Sequence, residues 1–301
     1  MDKLKSRIEK LKNLLDFLKD EGFSPAHSGT RYKVFVSEKY VIRFRDDDPG
    51  LLKRETKFLE QLSHPFIPKI VWEGVIDDYP AMIENRLPGK TLDTTWLNLP
   101  PETQNRIVQD IIEFIGYLRG RESNKIYSVN TGRKYNHFFD YFTDGIEEKI
   151  DAIKRYTQAE KKLRDLLTII KNPETKGEFK KIKITLVHGD LIIHNLLTDG
   201  KRLTGILDWE FALWGDPDYD LARLWYYRER AKAYEEQGID EIYESDFMDK
   251  LASAIKSSNL VEDEEIFEKK YKIIQAYYML NALYWAVKSE NPQKNIEELI
   301  K

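Results

Sequence analysis

The chain of 301 residues contains no cysteine, and its apolar residues never form a long uninterrupted run. Without cysteine, a disulfide framework, a thiolate nucleophile and a cysteine-ligated zinc site are all excluded. A membrane-spanning helix needs about 20 consecutive apolar residues, and no stretch approaches that length. The first 20 residues are charged and amphipathic, which is not the pattern of a signal peptide. We therefore expect a globular, cytoplasmic protein with no membrane partner.

Charge is distributed unevenly along a chain whose net charge is only −4. Residues 208–268 contain 18 acidic and 6 basic residues, a net charge of −12, so the remainder carries +8. This asymmetry indicates a C-terminal surface able to attract a cationic ligand, although solvated acidic helix faces are the simpler explanation. A basic stripe interleaved with aromatic residues is missing, so we expect no nucleic-acid partner.

The most informative stretch of the sequence runs from Leu186 to Leu213. It begins with apolar residues, breaks into His188-Gly189-Asp190, and places Asn195 five positions after the aspartate. An Asp199-Gly200 pair, of the kind that closes two-residue hairpins, precedes a short apolar strand that ends at Asp208. Three polar groups therefore flank one small hairpin, where their side chains can converge.

The chemistry of these three side chains suits phosphoryl transfer. The Asp208 carboxylate and the Asn195 amide offer an oxygen-only site, which Mg²⁺ prefers and completes with water and substrate phosphates. The remaining carboxylate, Asp190, can orient an acceptor hydroxyl and take its proton. An Asp-x-x-x-x-Asn pattern alone occurs often by chance, whereas the complete order of motifs is far rarer.

This order of motifs resembles the aminoglycoside phosphotransferase family of small-molecule kinases. The family's catalytic loop begins His-Gly-Asp, as at 188–190, and residues other than Phe-Gly follow its metal-binding aspartate, as at 208–210. The segment 214–222, with Gly-Asp-Pro and Asp-Leu-Ala, is also similar to the family's. The resemblance implies an α+β, two-lobed protein-kinase-like fold. Its small β-rich N-terminal lobe (1–86) would bind nucleotide, and its larger, mainly helical C-terminal lobe (87–301) would hold the catalytic and substrate-binding residues.

The resemblance also assigns roles within the catalytic segment. Asp190 is expected to be the catalytic base or hydroxyl-orienting group, and Asn195 and Asp208 are expected to hold Mg²⁺. His188 and Asp220 are expected to brace the catalytic loop rather than touch substrate. The choice of histidine at position 194 has no explanation in the sequence.

A second candidate group lies near the N-terminus. Arg43 is embedded in an apolar strand, where a buried cation needs an anionic partner. Glu55 on the following helix and the phosphates of a nucleotide are the two candidates. Protein kinases have lysine at the equivalent place, but arginine is permanently charged and can bind phosphate through two donors. The resemblance implies that Arg43, paired with Glu55, holds the α- and β-phosphates.

The nucleotide is further expected to contact a turn and a connector. Ser28, Gly29 and Thr30 are predicted to form a turn, and the resemblance implies that this turn covers the phosphates, where glycine would let backbone N–H groups approach. The connector between the lobes is predicted at Asn85–Gly89, where the strand pattern breaks. By resemblance, backbone groups of Asn85 and Leu87 bind the purine. The sequence does not choose between ATP and GTP.

Periodicity predicts the remaining elements. Strands are predicted at 32–36, 40–44, 70–76 and 81–85, and helices at 3–20, 51–62, within 137–172, at 217–230, 239–258 and 263–289, with a helical face formed by Ile107, Ile111, Ile112, Ile115 and Leu118 and a polar loop at 172–183.

The acceptor is the least constrained part of the prediction. A polycationic aminoglycoside suits the acidic segment, and the residues expected to bind it are Glu235, Glu236, Asp240, Glu241 and Trp285. Such an activity would confer antibiotic resistance by O-phosphorylation. A metabolic kinase of the same fold, acting on choline, homoserine, a fructosamine or a similar small alcohol, is the alternative. A catalytically silent nucleotide-binding protein is a third, less favoured because all three catalytic groups are present. We expect a monomer.

Overall fold

The computed structural model describes residues 2–26, 33–45, 48–172, 174–179, 182–236 and 242–300. These form two compact units. Unit 1 contains residues 1–110, 128–133 and 192–212, and unit 2 contains residues 111–127, 134–191 and 213–301. Each unit is therefore assembled from segments that are distant in sequence. Within the described part of the chain, no helix combines the length and apolarity needed to cross a bilayer.

Strands and helices have the following bounds. The strands are β1 (Ser24–Pro25), β2 (Lys33–Val36), β3 (Tyr40–Phe44), β4 (Ile70–Ile76), β5 (Tyr79–Asn85), β6 (Lys90–Thr91), β7 (Ile126–Ser128), β8 (Lys134–Tyr135), β9 (Thr185–Val187), β10 (Leu196–Thr198), β11 (Leu203–Ile206) and β12 (Leu213–Gly215). The α-helices are α1 (Asp2–Leu14), α2 (Pro49–Leu59), α3 (Pro101–Arg119), α4 (Phe138–Thr143), α5 (Ile146–Ile153), α6 (Glu160–Ile170), α7 (Thr175–Glu178), α8 (Asp218–Glu236), α9 (Ile242–Lys256), α10 (Glu264–Val287) and α11 (Pro292–Ile300). Short 3-10 turns lie at Asp16–Leu18, Leu92–Thr94, Trp96–Asn98, Thr157–Ala159, Ile193–Asn195 and Trp209–Phe211.

Unit 1 is organised around an antiparallel five-stranded sheet with the order β1-β2-β3-β5-β4. Because side chains alternate across a strand, Ile42 and Phe44 of β3 share one face while Arg43 lies on the other. The first face packs with Ile8 and Leu11 of α1 in one apolar core. On the opposite face, Leu52 of α2 packs against Met82 of β5. The alternation therefore directs Arg43 towards α2.

The start of α2 is defined by its first residues. Asp48 is the N-cap, and its Oδ1 accepts hydrogen bonds from the amides of Gly50 (3.0 Å) and Leu51 (3.2 Å). Pro49 occupies the first helical turn, where its missing N–H costs nothing. The helix then runs from this cap so that Glu55 is fully buried.

A second small sheet in unit 1, with the order β11-β10-β6, carries the hairpin of the predicted catalytic segment. Thr198 pairs with Leu203, so four residues, Asp199 to Arg202, form the loop. The predicted two-residue turn is therefore wrong. Oδ1 of Asp199 accepts hydrogen bonds from the amides of Lys201 (2.9 Å) and Arg202 (3.0 Å), which closes the longer loop.

Unit 2 is mainly helical and contains a four-stranded sheet with the order β8-β7-β12-β9. One helical core of this unit joins α5, α6, α10 and α11, whose buried residues include Ile150, Leu163, Leu280 and Ile296. The loop 188–190 directly follows β9, and α8 begins three residues after β12. Because β9 and β12 pair antiparallel, the loop and α8 leave opposite ends of a strand pair that is only three residues long.

Most predicted elements are present, with shifted ends. The bounds of β3 and β4 agree with the prediction, and the α+β class is confirmed. The first helix ends at Leu14, because a separate 3-10 turn contains Asp16–Leu18. Helix α7 lies inside the segment predicted as a polar loop, and α11 was not predicted. The lobe boundary at Asn85–Gly89 stays a prediction, and these residues lie within unit 1.

Candidate active site

A cavity of about 360 Å³ lies within unit 1 and collects many of the predicted nucleotide-binding side chains. One part of its wall is apolar, and the other is charged or polar. The apolar lining includes Val34, Val36, Val41, Leu87, Leu197 and Leu207, and the polar lining includes Arg43, Glu84, Asn85, Thr91, His194, Asn195 and Asp208. This division suits a ligand with a flat apolar part and an anionic part.

The guanidinium of Arg43 is the centre of the charged wall. Its Nη1 donates to Oε1 of Glu55 at 2.6 Å and its Nη2 donates to Oε2 at 3.2 Å, a bidentate pair. Oδ1 of Asp208 lies 3.9 Å from Nη2, and Oε2 of Glu84 lies 3.8 Å from Nη1. One cation is thus surrounded by three carboxyl groups. The predicted Arg43–Glu55 pair is present, and its role towards phosphates stays a prediction.

Glu84 was not singled out from the sequence. It lies on the same face of the sheet as Arg43, since Val41 of β3 pairs with Glu84 and Arg43 with Met82. Its side chain is buried, and Oε2 accepts no hydrogen bond. Burial raises the pKa of Glu84 to about 7, with Arg43 opposing the shift and Glu55 adding to it. A charged residue inside an apolar strand was the available signal, as it was for Arg43.

The segment that carries Asp208 is held by its two neighbours. Asp208 has a left-handed backbone, with φ of 64°. Trp209 is fully buried, and its Nε1 donates to the carbonyl oxygen of Ile206 at 3.0 Å. Glu210 accepts a 2.6 Å hydrogen bond from Nη1 of Arg45, and both side chains are buried. These contacts hold Asp208 at the wall of the cavity.

Asn195 and Asp208 together fit a hard divalent cation. Both residues line the cavity, and both present oxygen atoms, the donor type that Mg²⁺ prefers. Among the described residues, no group of three or more His, Cys, Asp or Glu side chains could hold a metal ion. With two side chains as protein ligands, a cation bound here would take its other ligands from water and from phosphate oxygens. That is the usual pattern for magnesium at a nucleotide site.

His194, which the sequence left unexplained, is paired with an acid. Its Nδ1 lies 2.9 Å from Oδ2 of Asp93, and it lines the cavity beside Asn195. The pair fixes the orientation of the imidazole next to the candidate metal ligand.

The predicted connector is attached to the β2–β3 hairpin. The amide of Arg86 donates to the carbonyl oxygen of Lys39 at 2.7 Å, and Nη1 of Arg86 donates to that of Ser37 at 2.7 Å. Gly89 has φ of 108°, and a Cβ there would overlap the carbonyl oxygen of Thr198, so only glycine fits. Asn85 and Leu87 line the cavity. Their contacts with a purine stay a prediction.

In unit 2 the loop 188–190 is held by the first turn of α8. Asp220 accepts hydrogen bonds from the amides of His188 (2.9 Å) and Gly189 (2.8 Å). Nδ1 of His188 accepts one from the amide of Asp190 at 3.1 Å. Burial raises the pKa of Asp220 to about 6, while both amides oppose that shift. His188 and Asp220 therefore make the hydrogen bonds to the loop that their expected bracing role requires.

The carboxylate of Asp190 is paired with Arg223 of α8, a residue that the sequence did not bring forward. The available signal was its spacing, three residues after Asp220, which places both side chains on one helix face. Asp190 belongs to unit 2, whereas Asn195 and Asp208 belong to unit 1. The convergence of all three side chains stays a prediction.

Several predicted binding residues are not tested by the structure. Ser28, Gly29, Thr30, Asp240 and Glu241 lie outside the described residues. Glu235 and Glu236 belong to the last turn of α8. Trp285 lies near the end of α10 and is 59% exposed, which leaves its ring accessible to a ligand. Their roles in substrate binding stay predictions.

Solved structures with a similar fold cover nearly the whole chain. A thermostable mutant of aminoglycoside phosphotransferase APH(4)-Ia, in ternary complex with ADP and hygromycin B, is 17% identical, covers 96% of this chain and 97% of its own, and has a TM-score of 0.65. The gentamicin complex of APH(2")-IIa is 21% identical, covers 97% and 95%, and has a TM-score of 0.69. These similarities confirm the predicted protein-kinase-like fold, with a small antiparallel sheet in the N-terminal lobe and a helical C-terminal lobe.

Sequence comparison gives a shorter match and a longer one. Hygromycin-B 4-O-kinase of Escherichia coli is 38% identical over 52 residues, which is 17% of this chain and only 15% of that enzyme. The model of the phosphotransferase enzyme family (APH) matches residues 22–251, a span that includes the cavity, the loop 188–190 and the start of α8. Since this match covers well over half of the sequence, the chain belongs to the phosphotransferase enzyme family.

Proposed function

We propose that this protein transfers the γ-phosphoryl group of ATP or GTP to a hydroxyl group of an aminoglycoside antibiotic. The observation that carries the proposal is the cavity of unit 1, whose wall contains Asn195, Asp208 and Arg43, the last of these paired with Glu55. Family membership supports the reaction class, a phosphotransferase acting on hydroxyl acceptors. Antibiotic resistance by O-phosphorylation would be the biological consequence.

The donor nucleotide is proposed to occupy the cavity of unit 1. Its base would lie along the apolar wall next to Leu87, and its phosphates would reach Arg43. A guanidinium held by Glu55 in a bidentate pair is already oriented, so little side-chain entropy is lost when it binds phosphate. The ADP found in the related APH(4)-Ia complex supports a nucleotide donor.

The side chains of Asn195 and Asp208 would hold Mg²⁺. When bound, the ion supplies positive charge that neutralises the phosphate oxygens of the donor. Asp190 would orient the acceptor hydroxyl and receive its proton. Phosphoryl transfer passes through a loose transition state that needs little covalent help, so most of the rate enhancement would come from positioning and electrostatics.

The acceptor proposal is supported by charge and by the related complexes. The relatives of similar fold bind hygromycin B and gentamicin. The net charge of −12 in residues 208–268 would attract a polycation. A small metabolic alcohol with one positive charge would need fewer acidic residues, so the aminoglycoside is favoured.

A coupled assay of nucleoside-diphosphate release tests the proposal. The purified chain is incubated with ATP or GTP and Mg²⁺ over a panel that contains hygromycin B, gentamicin, a macrolide, choline and homoserine. We expect release that depends on an aminoglycoside, with mass spectrometry showing one added phosphoryl group. Release that depends only on choline or homoserine would establish the alternative kinase, and no release with any acceptor would reject the phosphotransferase assignment.

A further inference from the structure

The helix α8 contacts the loop 188–190 through two side chains, not one. Asp220 binds backbone amides of the loop, and Arg223, three residues further on, binds the carboxylate of Asp190. Residues three apart in a helix share a face. The position of this loop and the orientation of its acidic side chain are therefore set by the same turn of one helix.

The guanidinium of Arg223 is held on several sides. Nη2 donates to Oδ1 of Asp190 and, at 3.2 Å, to the hydroxyl of Tyr227. Nη1 donates to the hydroxyl of Tyr278 at 3.1 Å. The guanidinium carbon also lies 5.1 Å from the ring centre of Tyr278 and 5.4 Å from that of Tyr227, within the range of cation–π attraction. Hydrogen bonds and cation–π contacts with Asp190, Tyr227 and Tyr278 thus hold the guanidinium in place.

The tyrosines that hold Arg223 are themselves fixed. The hydroxyl of Tyr278 donates to that of Tyr219 at 2.6 Å, which lies 3.5 Å from the hydroxyl of Tyr141. Tyr226 stacks on Tyr278 with ring centres 5.2 Å apart. Burial raises the pKa of Tyr141, Tyr219 and Tyr278 far above the ordinary value, so all three hydroxyls remain neutral. A rigid neutral aromatic layer therefore supports one cation.

Stability alone does not explain this arrangement. Removing two charges from water costs about as much as their attraction returns, and an apolar pair of similar volume would stabilise the fold equally well. The side chains of Asp190 and Arg223 are each only 12% exposed. Asp190 also belongs to the His-Gly-Asp motif, which is proposed to act on the acceptor hydroxyl. The bond to Oδ1 restricts the rotation of that carboxylate.

We propose that Arg223 is a positioning residue for phosphoryl transfer, which holds the Asp190 carboxylate in the orientation that aligns the acceptor hydroxyl. The inference rests on the proposed function, because it assigns Asp190 to the acceptor. Misplacement of a reacting group by about 1 Å can cost roughly 100-fold in rate. The loss of Arg223 should therefore lower kcat without weakening the binding of the nucleotide in unit 1.

The test compares three variants in the assay with ATP, using hygromycin B, gentamicin and water as acceptors. Arg223→Met keeps the volume and the contact with the tyrosines but removes the charge. We expect kcat to fall roughly 100-fold, in line with the cost of misplacement, while KM for ATP stays within threefold. Arg223→Lys, which keeps one charge but loses the planar set of donors shared among Asp190, Tyr227 and Tyr278, should recover part of the loss.

Arg223→Ala allows a chemical-rescue measurement of kcat that distinguishes a positioning role from a purely structural one. The cavity left between Tyr227 and Tyr278 should admit guanidinium ion, and millimolar guanidinium chloride should raise kcat at least tenfold. Urea, which has a similar shape but no charge, should not. This chemical rescue remains informative even if Arg223→Met folds poorly.

Arg228→Met is the matched control. Arg228 lies on the same helix and donates to Asp249 at 2.6 Å, so its replacement also breaks an ion pair, but one that is partly exposed. Its kcat should equal that of the unmodified chain. If Arg223→Met retains kcat within twofold, or if guanidinium gives no rescue, the positioning role is wrong. If the unmodified chain itself releases no diphosphate with any acceptor, the proposed function has failed instead.

Discussion

The two units differ in the balance of charged side chains at their candidate functional residues. In the cavity of unit 1, one guanidinium, that of Arg43, lies among the carboxyl groups of Glu55, Glu84 and Asp208. In unit 2, one carboxylate, that of Asp190, is matched by one guanidinium and a neutral tyrosine layer. The first region has excess negative charge and is suited to a cation with its phosphates. The second is balanced and rigid, and is suited to holding one side chain still.

The largest expected effect is the loss of turnover when Asp190 of unit 2 is replaced. Asp190→Ala should abolish transfer, and Asp190→Asn, which keeps an oxygen acceptor for Arg223, should lower kcat by about 1000-fold, within the range for a lost general base. Nucleotide binding, measured by calorimetry, should survive in both because Asp190 belongs to unit 2. Turnover of Asp190→Asn close to that of the unmodified chain would refute the assignment.

The next effect concerns the Arg43–Glu55 pair. Arg43→Met leaves buried carboxyl groups without their cation, which should lower the free energy of unfolding by about 3–5 kcal/mol. The double variant Arg43→Met/Glu55→Met should recover most of that stability, yet it should not regain nucleotide binding. Urea unfolding together with calorimetry separates the two outcomes. Tight nucleotide binding by the double variant would contradict the phosphate role of Arg43.

A smaller effect, on the pH dependence of stability, is expected from Glu84. Because its pKa is raised to about 7, the protonated form is favoured in the folded chain, and stability is lost as the pH rises from the ordinary 4.5 through 7. The raised pKa corresponds to a loss of up to about 3 kcal/mol. Glu84→Gln should not show this loss.

Urea unfolding at pH 5, 6.5 and 8 measures the effect of Glu84. The advantage of Glu84→Gln over the unmodified chain should grow with each step in pH. Parallel stability profiles for the two proteins would show that Glu84 titrates in its ordinary range.

The smallest effect on stability is expected at Trp285. Its side chain is 59% exposed, so Trp285→Ala should lower the free energy of unfolding by only about 1–2 kcal/mol. If its ring packs on a sugar, KM for the aminoglycoside should rise several-fold while KM for ATP is unchanged. An unchanged KM for every acceptor would remove Trp285 from the substrate site.

The local sequence predicted a large part of the fold. The alternation in residues 40–44 identified β3, and the same alternation identified Arg43 as a buried cation that needs an acid. The hairpin was predicted with too short a loop, because Asp199 closes a four-residue turn through its own side chain. Turn length depends on such side-chain bonds, which a dipeptide signal does not contain.

The sequence by itself determined the motif order, the faces of the strands and the family, because these depend on residue type and spacing along the chain. Only the tertiary structure decided which charges meet. Arg223 and Asp190 are 33 residues apart, and Arg45 and Glu210 are 165 apart, so neither pair has a local signal. Periodicity reveals which face of an element is buried. The residue that packs against that face depends on long-range contacts, and these contacts surrounded Arg43 with acids and fixed Asp190 with one cation.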